Sequence, residues 1–295
     1  MKKVATILPV LAGAIWGVIG VFVRTLTAAG FDNLTLVFSR SVFATVLLFI
    51  YLFITNREAL KIHLKDIWVF IGSGILGMFG LNVTYNIAIK SLTMSLAAVL
   101  LSLSPIFVLF ISAILFKEKI TSKKVACMLM AIFGCFLASG VAEAGIGSVS
   151  LAGAFFGLTA AFFYGLYSVF SKLATDRGYG TFTIVFYSVL FVTIVTLPLA
   201  NYTTIADYVI AAPFTHMIIM IAHALMASII PYILYSCALI YVDAGKVSIL
   251  AAGSEPTSAT IFGFIFFAEA LSIFKVAGLV LTIVALAFLC MKGKD

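Results

Sequence analysis

The chain has 295 residues, of which 64% are hydrophobic and 10% charged, and its mean hydropathy is +1.25. A water-soluble domain of this size keeps too much of its area against solvent to hide so many apolar side chains, so a soluble globular enzyme is excluded and the natural solvent is lipid. The net charge of +7 arises from basic residues standing singly or in small groups between apolar runs, a pattern that marks membrane topology and argues against nucleic-acid binding.

Crossing about 30 Å of hydrocarbon takes roughly 20 helical residues. Ten apolar runs of that order appear, predicting ten transmembrane helices at about 8 to 29, 34 to 55, 67 to 88, 93 to 115, 123 to 141, 151 to 173, 181 to 200, 215 to 240, 245 to 267 and 272 to 291. The first follows Met1-Lys2-Lys3 and so begins like a signal peptide. It is long enough to span and has a repeat partner later in the chain, so it is expected to be a retained helix. It carries Trp16, and Arg24 lies near its outer end, where an interfacial anchor is expected.

The second run holds Arg40 about two turns inside its outer end. Three roles suit it: a stem that snorkels to the interface, a partner for a carboxylate such as Glu255, or a clamp on a substrate carboxylate. The third run contains glycines at 72, 74, 77 and 80, which permit close helix approach, followed by Asn82, Tyr85 and Asn86. The fourth has Pro105 at its middle, where a proline frees the carbonyl of Leu101 and makes a candidate hinge or a static kink.

The fifth run includes Cys127 and Cys135, read with Cys237 and Cys290 as small core residues. Tyr164 and Tyr167 fall in the sixth, Tyr187 in the seventh, and His223, Tyr232 and Tyr235 in the eighth. A lone buried histidine is more often packing than a proton carrier. Tyrosine and tryptophan away from the interface need polar partners, so this aromatic set predicts a site lined by rings.

Glu255 lies near the middle of the ninth run, where an ionised carboxylate facing lipid would cost several kcal/mol. It must face the bundle interior, as a proton-coupling group, as the counter-charge of a cationic substrate, or as a hydrogen-bonded acid that fixes packing beside Pro256. Pro256 itself frees the carbonyl of Ala252 and is the second candidate hinge.

With the N-terminus in the cytoplasm, fourteen Lys and Arg residues fall inside, against Arg24, Lys90 and Lys275 outside and Arg40 within a span. The positive-inside rule then places both termini in the cytoplasm and the protein in the cytoplasmic (inner) membrane as a multi-pass protein.

An internal repeat is visible. Residues 17 to 24 match residues 165 to 172 at an offset of 148, while Pro105 falls on Pro256, Glu118 on Glu269, Thr121 on Ser272 and Lys124 on Lys275 at 151. The chain is therefore expected to be all-α, two five-helix repeats over 1–145 and 146–295. Because five is odd, the second must be inverted relative to the first, an arrangement associated with alternating access around a midplane site. Glu118 and Glu269, each three residues ahead of a hydroxyl, are expected to seat turns between paired helices and to bond exposed backbone amides.

Several stretches resemble the EamA-type branch of the drug/metabolite transporter superfamily. They are Ala14-Ile15-Trp16-Gly17, Phe38-Ser39-Arg40, Ser104-Pro105 with Phe116-Lys117-Glu118, Glu255-Pro256, and Phe267-Ala268-Glu269. The resemblance covers nearly the whole chain. It implies a ten-helix bundle with a central cavity that moves small metabolites such as amino acids, amines or drug-like amphiphiles, without naming one substrate.

The sequence thus predicts a secondary transporter with Trp16, Arg40, Tyr85, Tyr164, Tyr167, Tyr232, Tyr235 and Glu255 at the substrate site and Glu255, Pro105 and Pro256 in coupling and gating. Protons are the candidate coupling ion, and the bilayer and a small molecule are the expected partners. The alternative is a passive channel or a lipid-handling protein using the same cavity. No nucleotide-binding glycine loop and no clustered acids, histidines or metal ligands are present, so no cofactor, metal site or enzymatic activity is expected.

Overall fold

The computed structural model describes residues 5–92, 94–141, 150–267 and 272–291, and the described residues hold helices and no strand. Backbone amides and carbonyls in hydrocarbon must find partners within their own segment, and a helix does this residue by residue. The long apolar runs accordingly form α1 (Leu8–Ala28), α2 (Asn33–Thr55), α3 (Leu64–Ala88), α4 (Leu96–Leu115), α6 (Leu151–Asp176), α7 (Thr181–Leu199), α8 (Pro213–Ala238), α9 (Ala244–Phe266) and α10 (Ile273–Cys290), each long and apolar enough to cross a membrane. Between α4 and α6 lies α5 (Ser122–Ala138), shorter at 17 residues. The expected boundary between 145 and 146 falls outside the described residues, as does Glu269.

Polar residues at the run ends start the helices. Asp32 accepts from the amides of Leu34 and Thr35 at 2.8 and 2.9 Å, and Ser150 accepts from Gly153 at 3.2 Å. The repeat mates Thr121 and Ser272 perform the same task in the two halves, accepting from Lys124 at 3.3 Å and Lys275 at 3.2 Å to cap α5 and α10. One element was not expected: a helix over Tyr202–Ala211 in the connection between α7 and α8. Its polar stretch from Asn201 to Asp207 reads as loop, yet Tyr208 is buried against Phe31 with ring centroids 5.3 Å apart.

The two halves run in opposite directions. At one end of α2, Thr35 Oγ1 accepts from the amide of Asn201, just beyond α7. Past its other end, the carbonyls of Ala59 and Leu60 accept from Thr183 Oγ1 at 2.8 Å and Tyr187 OH at 2.6 Å, at the start of α7. The repeat mates α2 and α7 are therefore antiparallel neighbours. So are α5 and α10, because Lys123 Nζ at the start of α5 donates to the carbonyl of Met291 at 2.6 Å, while Gly140 beyond the end of α5 lies near Lys275.

The mates also repeat one another's packing. A methyl group built on Gly17 in α1 would fall 2.7 Å from the amide nitrogen of Ala259 and 2.8 Å from the carbonyl of Glu255, both in α9. The same group on Gly165 in α6 would fall 3.3 Å from Val108 and 3.6 Å from the carbonyl of Ser104, both in α4. Gly165 is the mate of Gly17, and Ser104 and Val108 are the mates of Glu255 and Ala259, so one crossing is made twice with the halves exchanged. Thr45 and Thr193, mates 148 positions apart, share a hydrogen bond of 3.0 Å where α2 meets α7. That bond lies on the pseudo-twofold axis relating the halves.

One end of the bundle is held by polar contacts. Asp66 in the first turn of α3 accepts from Arg177 and, at 2.7 Å, from Tyr179 OH; Lys172 Nζ reaches the carbonyl of Leu239; and Lys124 Nζ pairs with Asp243 at 2.8 Å. Glu118 accepts from the amides of Ala244 and Gly245 at 2.8 and 3.2 Å, at the start of α9. Burial raises the Glu118 carboxyl above the usual carboxylate range, and the two amides oppose that shift. Glu118 thus plays the turn-seating part expected of it.

The α5–α10 crossing depends on the absence of a side chain at Gly134, where a methyl group would overlap Thr282 and the carbonyl of Gly278. Gly134→Val is expected to destabilise the detergent-purified protein by about 1–3 kcal/mol through overpacking. In the same thermal unfolding measurement Gly20→Ala should be close to neutral, since nothing lies within 4 Å of a methyl group at Gly20.

Candidate functional site

Trp16 stands one residue ahead of Gly17, and the close α1–α9 crossing at that glycine carries the indole into the bundle, where it is 6% exposed. Around it gather Tyr164 from α6 at 5.9 Å between ring centroids, and Tyr232 and Tyr235 from α8 at 5.0 and 5.8 Å. Tyr167 joins the group edge-on to Tyr232 at 4.8 Å. Five of the aromatic residues expected at the site therefore form one cluster, with edge-to-face geometry at three of its contacts.

Buried phenols need hydrogen bonds, and serines supply them. Tyr167 OH is 2.9 Å from Ser236 Oγ, and Tyr235 OH bonds Ser168 Oγ. Neither serine stands out in the sequence. The available signal was only their position facing tyrosines one helical turn or less from their own neighbours, which requires knowing that α6 packs on α8.

Glu255 is half-buried on α9, and Tyr164 OH approaches its Oε2 at 3.5 Å. No hydrogen bond or ring contact among the described residues joins Tyr85 of α3 to the same carboxylate. Glu255 and Trp16 thus share Tyr164 as a common neighbour, which places the acid at the edge of the aromatic cluster.

Arg40 does not pair with Glu255. Its Nη2 donates to Asn82 Oδ1 at 2.9 Å, and Asn82 Nδ2 in turn donates to the carbonyl of Met78 at 2.7 Å. The amide oxygen stands where a carboxylate was one expectation. The guanidinium opens on a narrow cleft between α2, α3, α7 and α8, lined among others by Ser41, Asn82, Val189, Ser228 and Tyr232. Tyr232 belongs to both this cleft and the ring cluster, so the arginine and the glutamate flank one aromatic wall.

Backbone irregularity surrounds the cleft. Gly72–Phe79 in α3 and Leu225–Ile229 in α8 wind with wider, π-type turns, and each segment ends six residues ahead of a tyrosine, Tyr85 or Tyr235. In α8 the wide turns precede Pro231, which has no amide to give. In α3 they coincide with glycines that let the backbone lie against Tyr167 and Ser188. Wide turns of this kind are often found at functional sites.

The two prolines behave differently. The helical path of α4 is interrupted at Ser102 and Leu103, so that Pro105 opens a new segment over Ser104–Leu115. Pro256 sits inside α9 without ending it. Pro105 also lines a second narrow cleft with Ser102, Cys135 and Ala252. Each cleft has free space of about 10 Å³, enough for one water and far below the roughly 300–1,000 Å³ of ordinary small-molecule pockets. The interior is closed around its polar groups.

Tyr187, expected at cavity depth, instead bonds the carbonyl of Leu60 at the polar end of the bundle. His223 stacks on Phe22 at 5.6 Å and is 1% exposed, with both ring nitrogens lacking a partner among the described residues.

The model of the EamA-like transporter family matches residues 3–140 and again 151–291. An uncharacterized transporter of Archaeoglobus fulgidus is 25% identical over 277 residues, covering 91% of this chain and 90% of that protein. A second uncharacterized transporter of the same organism is 34% identical over 91 residues, 31% of this chain and 33% of its own length. A solved crystal structure superposes with a TM-score of 0.78 at 17% identity, covering 98% of this chain and 96% of the other, which shows a shared fold.

Leaving the guanidinium without an acceptor inside the bundle is costly. Asn82→Leu, which removes the Arg40 acceptor, should lower folded stability by about 1–3 kcal/mol. Thermal unfolding of the purified protein measures this, and an unchanged midpoint would mean that Asn82 is not what satisfies the charge.

Proposed function

The chain belongs to the EamA-like transporter family, and we propose that it is a secondary carrier that moves a small metabolite across the cytoplasmic membrane by alternating access, with Glu255 as the proton-coupling group. The observation that carries this reading is the exchange of one crossing between the halves, Gly17 on α9 and Gly165 on α4. A bundle built from mates in opposite orientations has two related conformations available, obtained by swapping the geometries of its halves. The α1–α9 crossing is the tighter of the two here, and an exchange would tighten α6–α4 while loosening α1–α9.

Trp16 and Glu255 lie at the crossing that would loosen. Such an exchange would part the ring cluster and expose the acid alternately to either side. The fold units are taken as 1–145 and 146–295, with both termini cytoplasmic. Support for that orientation comes from the polar end, where Arg57, Lys65, Lys117, Lys119 and Arg177 gather, the pattern of an inside face.

Sealed liposomes containing the purified protein test the reading. Flux of a labelled panel of amino acids and amines should saturate and show counterflow for at least one member, whereas a passive channel would show neither. Glu255→Gln should abolish the response of that flux to a pH gradient. A variant with wild-type flux and wild-type pH response would remove Glu255 from coupling.

A further inference from the structure

Arg40 carries five N–H donors, and among the described residues one of them meets an acceptor, the neutral oxygen of Asn82. Among the described residues no carboxylate forms an ion pair with it. The groups beside it are neutral. Val189 and Val192 come from α7, Asn82 and Met78 from α3, and Ser228 and Tyr232 from α8. His223, also from α8, stacks on Phe22, and its ring nitrogens have no hydrogen-bond partner among the described residues. A fixed positive charge among neutral donors, lining a narrow cleft, has the chemistry of an anion site.

The shape of the donors narrows the anion. A guanidinium is a planar fork that matches the two oxygens of a carboxylate. A single cation balances a single negative charge, so a monoanion suits it better than a phosphate dianion. The free space beside Arg40 is about 10 Å³, enough for a single water, so a head group enters only as the cleft widens, and its Tyr232 wall continues into the cluster with Trp16 and Tyr167. An apolar or aromatic body attached to that head group would lie against these rings once they part.

We propose that Arg40, with Ser228 and Tyr232, binds the carboxylate of the cargo, and that the carrier's substrates are organic monocarboxylates with an apolar or aromatic body. This rests on the carrier reading above and names the substrate class of the same site. Charge balance joins the two parts. One carboxylate on Arg40 and one proton on Glu255 add no net charge to the interior, so the loaded bundle crosses between states without moving net charge through hydrocarbon.

The test uses the full chain in detergent, with phenylacetate, benzoate and indole-3-acetate as probes. Phenylacetamide is the neutral control, phenethylamine the cationic one and phenyl phosphate the dianionic one. Saturable increases in unfolding temperature are expected with the carboxylates and not with the amide or the amine. Arg40→Gln should weaken carboxylate binding about 10- to 100-fold, the loss of a charge-assisted hydrogen bond. Arg40→Lys should lie between, because it keeps the charge and loses the fork.

Equal carboxylate affinity in Arg40→Gln, binding of the amide or amine as strong as that of the carboxylates, or no binding of any carboxylate would each overturn the proposal. Tighter binding of phenyl phosphate would replace the carboxylate by a phosphate. If Arg40→Gln does not fold, Arg40→Lys and Ser228→Val decide the same point. Carboxylate binding that depends on Arg40, without saturable flux in liposomes, would defeat the carrier reading and leave the site. Saturable flux of an amine that is indifferent to Arg40 would do the reverse.

Discussion

Within hydrocarbon a charged or polar group that finds no partner costs free energy, and this constraint governs where the groups of the candidate site sit. Arg40 donates to Asn82, Asn82 to its own helix, and Glu255 meets the phenol of Tyr164. The serines facing Tyr167 and Tyr235 obey the same demand. Lipid meets a different surface, made of side chains such as Phe110 and Phe214, which are 65% and 81% exposed. Helix interfaces are set by small residues, because without water between helices it is close approach that brings attraction.

The repeat gives this interior its plan, and departures from the repeat give it chemistry. Glu255 has Ser104 as its mate, so an acid in one half answers to a buried hydroxyl in the other. Pro105 begins a helical segment, whereas Pro256 is absorbed into a continuous helix. Arg40 likewise has no basic mate, since position 188, 148 residues on, is Ser188, which bonds Ser73 at 2.6 Å. The charges that define the candidate site are the positions where the two copies have diverged.

Much of this was legible in the chain alone. Apolar run lengths located the helices to within three residues at nearly every end, because hydrocarbon thickness leaves little freedom in span length. The offsets of 148 and 151 announced the inverted pair, and Trp16 with four tyrosines proved to be one cluster. What the sequence lacked was which helix touches which. Ser228 and Ser236 gain meaning only once α8 is seen beside Arg40 and α6. The helix over Tyr202–Ala211 was hidden because its polar residues look like a connection, and the neutral partner of Arg40 because depth alone left three roles open, none of them an amide.

The groove that receives α1 is supplied by α9, so Gly17 and the residues it meets near Ser258 are about 240 positions apart. At a translation rate of roughly 5–20 residues per second, the first helix stays without its main neighbour for on the order of 10–50 s after it is made. Neither copy can therefore mature alone as it leaves the ribosome. Assembly has to wait for nearly the full length of the polypeptide, and a message truncated before α9 would yield a fragment with an unfilled seam, open to quality-control proteases.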